Sequence, residues 1–324
     1  MLLKIKVQKI ILLLFPIFSV LNAQEEKVTT EVDSLIDELF FADTLMDGLA
    51  DESQNDFIYS SIDFNSNTFY AGRSIGSDGF NLVPQTTYLN TKGWSVNLSG
   101  VYLDGVQPAW DVTSLSMGYS KTLGQQKRNL GLYANYSRYF FSFDSANLFS
   151  NGVTLGATYQ SDDNKFFAMS SGNLFFGGTS LFQSVSSVMY SFPIFKKSTQ
   201  KSAKTSERMW VSSVGRIRRK PFQFNNDLNL KFNPKVTFLI NQETIVTPNF
   251  NPETEGFPPE SELSSQQTLF SLTNTQIKLP LVMELGNLDI EAAYYQNLPS
   301  PIGNESDLNP TNFFGISIGY FFGL

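Results

Sequence analysis

The chain has 324 residues, enough for one large domain or two small ones, and it contains neither cysteine nor histidine. Those absences exclude disulfide frameworks, thiolate or imidazole metal sites, cysteine nucleophiles and proton relays through imidazole, and most familiar hydrolase chemistry goes with them. Charged residues are only 16% and aromatics 14%, with thirty Phe and thirteen Tyr among many Ser, Thr, Asn and Gly, a mix that favours strands and turns; the formal charge of -7 has the wrong sign for a general nucleic-acid binder.

The first predicted element is an export signal. Lys4, Lys6 and Lys9 form a basic start, Ile10 to Val20 is an apolar run too short to span a bilayer as a helix, and Asn22-Ala23 places a small residue before the polar Gln24. Residues 1–23 are therefore expected to be cleaved on export, with a retained anchor as the alternative. Residues 24–56 carry eleven acids against Lys27 alone, with Val32, Leu35, Ile36, Leu39, Phe40, Leu45 and Leu49 at helix-like intervals. This spacing predicts a short helix in an acidic leader.

From residue 57 the apolar period becomes two. Trp94, Val96, Leu98 and Tyr102 alternate with Ser95, Asn97 and Ser99, and Leu115, Met117 and Tyr119 alternate with Ser114, Ser116, Gly118 and Ser120. The same alternation runs through 130–137, 153–160 and 228–240. Strands are predicted near 57–72, 79–89, 94–103, 111–122, 129–143, 151–160, 164–175, 181–195, 227–242, 269–283, 288–297 and 313–324. Pro84, Pro193, Pro234 and Pro280 fall inside them, so each requires a bulge or a strand end. Short turns at 90–93, 161–164 and 284–287 alternate with longer polar stretches at 103–111, 144–151, 243–265 and 299–312. A membrane barrel has that rhythm, while a soluble sandwich, the alternative fold, has no reason to keep it.

The last strand is the most specific piece. Phe314, Ile316, Ile318, Tyr320, Phe322 and Leu324 make one apolar face, and Gly315, Ser317, Gly319 and Gly323 are small on the other, broken by Phe321. Together with the export signal and the alternation from 57 onward, this strand resembles the carboxy-terminal assembly signal of small bacterial outer-membrane β-barrel proteins. The resemblance implies an all-β protein, a transmembrane antiparallel β-barrel of about twelve strands over 57–324 with both termini in the periplasm. It also implies the lipid bilayer and the outer-membrane assembly machinery as partners. Residues 209–217 could add two strands and make fourteen.

With the apolar faces outward, the predicted lumen charges are Asp63, Lys231, Lys235, Lys278, Asp289 and Glu291, which either set a field in a pore or pair to fill it. Arg138 falls on the outward face near a rim. No catalytic, metal or cofactor residues are expected, since Asp289 and Glu291 at alternate strand positions are too common a pattern to signal acid–base work. The segment 196–226 is a basic insertion on the periplasmic side, and the leader 24–56 is expected to dock on 196–220; no nucleic acid is implied. Glu253, Glu255, Glu260 and Glu262 make the largest outer loop acidic. Two functions remain: a passive or weakly selective channel for small solutes, and a non-conducting structural or interaction barrel.

Overall fold

The computed structural model describes residues 56–74, 79–105, 107–123, 129–142, 149–178, 180–197, 210–211, 215–216, 228–248, 264–301, 305 and 308–323. The export signal, nearly all of the acidic leader with its expected helix, most of the basic insertion, the acidic loop glutamates and Leu324 lie outside the described residues.

The strands in chain order are β1 (Phe57–Asn65), β2 (Phe69–Tyr70), β3 (Arg73–Ser74), β4 (Asn81–Leu89), β5 (Trp94–Leu103), β6 (Trp110–Leu123), β7 (Leu130–Phe141), β8 (Phe149–Gln160) and β9 (Phe166–Gly177). They continue with β10 (Ser180–Tyr190), β11 (Phe192–Lys197), β12 (Trp210–Val211), β13 (Gly215–Arg216), β14 (Leu228–Phe232), β15 (Lys235–Pro248), β16 (Ser264–Leu285), β17 (Leu288–Pro299) and β18 (Thr311–Gly323). Hydrogen-bonded neighbours run β16-β15-β10-β9-β8-β7-β6-β5-β4-β1-β18-β17, and β17 pairs back onto β16. Twelve antiparallel strands therefore close a barrel with no free edge around its girth.

β11 and β14 do not enlarge this ring. Met189 faces Lys235 and Phe192 faces Phe232 in one register, just as Lys235 faces Lys278 and Phe232 faces Leu281. Each short strand thus continues a wall strand past an interruption at Ser191 or at Asn233-Pro234. Pro234 has no amide donor, and Asn233 before it falls opposite Pro280 of β16, which has none to return; these missing donors are the physical reason for the gap. Bonds from Tyr190 N to Pro234 O (3.1 Å) and from Asn233 N to Pro280 O (3.2 Å) carry the ladder across it. Pro193 meets its requirement at a register shift in β11, and Pro84 sits where the β4–β5 ladder skips two positions opposite Gly100 and Val101.

Three expectations are corrected. The fourteen-strand alternative fails, because β12 and β13 pair only with each other in a separate two-stranded ladder. The strand expected over 57–72 stops at Asn65, and β2 and β3 form a small hairpin of their own. The outer loop expected at 243–265 is shorter, since β15 runs to Pro248 and the 22-residue β16 starts at Ser264. The rhythm of connections is also looser than read: β9 and β10 are joined at the loop end by only residues 178–179. At the turn end, Asn90 accepts from the amides of Lys92 (2.9 Å) and Trp94 (3.0 Å), and Gly93 takes φ +89. That geometry suits an Asx turn closed by glycine.

The two faces sort as the alternation requires. Leu98, Leu115, Met117, Leu132, Leu155, Ile316 and Ile318 are exposed on the outside, whereas Ser95, Asn97, Ser114, Ser116, Asn135, Ser137 and Asn173 are buried inside. Aromatic residues bracket the outer surface. Phe64, Phe80 and Tyr102 pack in succession near the loop end (5.6 and 6.1 Å), and Trp94–Tyr119 (5.1 Å), Tyr159–Phe166 (6.4 Å) and Tyr320–Phe322 (4.7 Å) lie toward the turn end. An exterior apolar in the middle and aromatic at both margins is the surface of a lipid-embedded barrel.

Candidate functional site

The site that sequence reasoning singles out is the barrel interior. Neighbouring strands are stitched there by short polar side chains: Gln85 donates to Ser61 (3.0 Å), Asn97 donates to Thr87 (2.7 Å), and hydroxyl pairs join Ser99 to Ser114 (2.7 Å) and Ser116 to Ser137 (2.8 Å). All six predicted lumen charges lie on inward positions of one arc, with Asp63 on β1, Asp289 and Glu291 on β17, Lys278 on β16, and Lys231 and Lys235 on β14 and β15. Asp63 and Glu291 both face Ser317 of β18 in register. Lys235 and Lys278 face each other directly.

Pairing resolves part of this crowding. Lys278 Nζ lies 2.6 Å from Glu291 Oε1 and 5.2 Å from the centre of the Tyr295 ring, which stacks on Phe313 at 4.3 Å. Lys231 pairs with Glu284, a residue that the sequence reading had placed in a turn. β16 runs one residue past Glu284, so its side chain keeps the inward phase. Asp111, buried inside β6, is not among the predicted lumen charges, since it falls at the junction of the expected loop 103–111 and the expected strand 111–122.

Several short inward side chains are shielded from solvent: Ser95, Ser137 and Asn173 are only 1%, 3% and 1% exposed. At the loop end Val83, Val101, Leu103, Val112, Tyr139, Phe149 and Phe175 form an apolar cluster inside the wall. At the turn end Phe57, Tyr59, Leu89 and Phe321 form a second one. Phe321, the residue that broke the small face of the last strand, packs its ring 4.4 Å from Tyr59.

A further inward element has no signal in the alternation. The hairpin of β2 and β3 folds inward, and Ala71 at its tip packs against Val185 of β10, Leu239 of β15 and Met169 of β9. The tip turns through positive φ at Ala71 (+44) and Gly72 (+80), and a Cβ on Gly72 would stand 2.9 Å from Asn274 Oδ1 and 3.0 Å from Asn297 Cβ. Only glycine satisfies both the conformation and the close approach. Arg73 then locks the hairpin to the rim, donating to the carbonyls of Ala71 (3.3 Å), Thr273 (3.3 Å) and Ser300 (2.9 Å) and pairing with Glu305 at 2.7 Å. Thr311 donates to the Gly72 carbonyl at 2.9 Å.

At the turn-end rim, Asp56 accepts from the Tyr88 hydroxyl (2.6 Å) and the Thr91 amide (3.0 Å), which hold its carboxyl below the ordinary carboxylate range. Among the described residues no group of three or more acidic side chains could hold a metal ion.

The fold and its surfaces define a class: a closed twelve-stranded antiparallel barrel with an apolar, aromatic-bordered exterior and a packed polar interior. No protein-family model matches the sequence, and no curated protein matches it. Among solved structures, the barrel is similar to the KdgM porin, at 6% identity over 82% of this chain and 98% of that one, with a TM-score of 0.41. It is also similar to the NanC porin, at 9% identity over 81% and 98% with a TM-score of 0.43. An outer-membrane channel from Pseudomonas putida F1 is similar at 10% identity over 83% and 96%, with a TM-score of 0.39. At such scores the likeness goes no further than the general form of a barrel, and no residue or activity is transferred from it.

Proposed function

We propose that the mature protein is a bacterial outer-membrane β-barrel whose lumen is closed by its own side chains and its first outer hairpin, so that it acts as a non-conducting structural or interaction barrel. The burial of short polar side chains along the interior carries this reading. A bore wide enough for solutes would leave them in water, and side chains commonly fill small barrels. The apolar, aromatic-bordered exterior supports membrane embedding, and the outward face of β18, next to the closing pair with β1, supports its role as an assembly signal.

One observation favours the channel reading. Asn97 Oδ1, Asn135 Oδ1 and both polar atoms of the Asn173 side chain are buried without a protein partner. Each such group is costly, about 1–3 kcal/mol, unless water reaches it. A lumen that admits single waters is compatible with both functions.

Single-channel recording in planar bilayers separates the two. Folded, heat-modifiable full-length mature protein is expected to be silent, and so is a variant lacking residues 68–74. Steps that scale with salt from the wild type would establish a passive channel; steps only from the hairpin deletion would establish a channel held shut by its hairpin.

A further inference from the structure

One polar cluster interrupts the apolar outer wall. Arg138 on β7 stands between Leu115 of β6 and Asn151 of β8 in register, and the exposed Tyr136 and Phe140 flank it along its own strand. A register shift between Phe149 and Asn151 marks a bulge at Ser150. The bulge brings two consecutive polar side chains beside the guanidinium where a regular strand would offer one.

The contacts fix the arginine without neutralising it. Its Nη1 donates to Ser150 Oγ and to Asn151 Oδ1, both at 3.0 Å, and Tyr136 donates to the same Asn151 oxygen at 2.7 Å. Asn151 in turn donates to Ser150 Oγ at 3.0 Å, and the guanidinium carbon lies 5.8 Å from the Phe140 ring centre. Both of the arginine's own hydrogen bonds use Nη1. Among the described residues the Nε and Nη2 edge of the fork meets no protein acceptor, and no carboxylate pairs with it. Arg138 is three residues short of the end of β7, roughly 8 Å from that end at the usual rise and tilt. A planar cation held rigid on a lipid-facing wall, with one edge of its donors open, matches the geometry of a phosphate.

We propose that Arg138, positioned by Ser150, Asn151 and Tyr136, forms an outward-facing site for the phosphate group of an anionic outer-leaflet lipid. The proposal rests on the membrane-embedded reading of the exterior. The test uses the folded full-length mature protein in neutral detergent, titrated separately with diphosphoryl lipid A and with inorganic phosphate and read by native mass spectrometry.

The wild type is expected to retain lipid A at least ten-fold more tightly than Arg138→Gln, with Asn151→Ala, which loosens the guanidinium but keeps its charge, falling between them. Inorganic phosphate is expected to bind far more weakly. Equal retention by wild type and Arg138→Gln, both shown folded by heat-modifiable mobility, overturns the site. If Arg138→Gln does not fold, Asn151→Ala decides alone, and unchanged retention overturns it. Phosphate binding as tight as lipid A replaces the lipid with a free anion and overturns the assignment. Failure of the membrane reading is seen beforehand, as wild type that stays in buffer and does not enter phospholipid vesicles.

Discussion

Gly319 lies so close under the Tyr59 ring that a Cβ there would come within 2.0 Å of the hydroxyl oxygen, and Gly156 lies under Tyr133 with only 2.2 Å available. The small inward face of the last strand was visible in the sequence, but its reason was not: the glycines leave room for rings projecting from neighbouring strands. Gly319→Val should overpack this contact and cost about 1–3 kcal/mol, measured by urea unfolding in detergent micelles. The Lys278–Glu291 pair makes a different prediction. Glu291→Gln leaves the lysine buried without its partner and should cost about 3 kcal/mol, whereas Lys278→Met with Glu291→Leu should be nearly neutral. A double variant as unstable as the single one would mean that the pair is not simply structural.

Asp56 gives a pH signature. Its folded value is lowered, so its contribution is present above the unfolded carboxylate value and is lost as pH falls through the folded one. Asp56→Asn should therefore be less stable than wild type at neutral pH, and the difference should vanish at strongly acidic pH. A difference that persists there would show that the Tyr88 contact does not depend on ionised Asp56.

Among the elements, β18 was read almost completely because period-two burial leaves an unmistakable trace when one face is apolar and the other small. Ile318 is mid-strand and 52% exposed on the outside, so Ile318→Arg should cost about 2–4 kcal/mol in a bilayer. The check is folding yield in phospholipid vesicles; a cost near zero would contradict lipid contact at this height.

The β2–β3 hairpin was not legible. Residues 66–72 mix Asn, Ser, Thr and aromatics in a way that continues the alternation, and what ends β1 at Asn65 lies in side-chain contacts: the Phe314 amide donates to Ser66 Oγ at 3.0 Å, and Asn81 donates to Thr68 at 3.0 Å where the chain turns inward. The prolines show the reverse case. Their missing donors announced interruptions, but only the register shows that the one at Pro234 divides a strand that continues on the far side.

At the scale of the whole molecule, the sequence carries the wall far better than the bore. Facing, closure and strand number follow from alternation and from pairing that needs no free edge. The inward apolar clusters and the one inward hairpin bear on whether the lumen is open, and the hairpin leaves no periodic trace. The lumen charges illustrate the limit, because their inward phase could be read from the chain whereas the partner of Lys231 depended on where a strand ended.

The proposed closure of the interior can be tested directly because the sequence has no cysteine to confuse a thiol probe. Ser137→Cys, folded in phospholipid vesicles, would be treated with a small charged methanethiosulfonate reagent and compared with the same protein in urea. A packed lumen predicts labelling at least a hundred-fold slower in the folded barrel. Labelling of the folded protein as fast as in urea would contradict the closed barrel and restore an open channel.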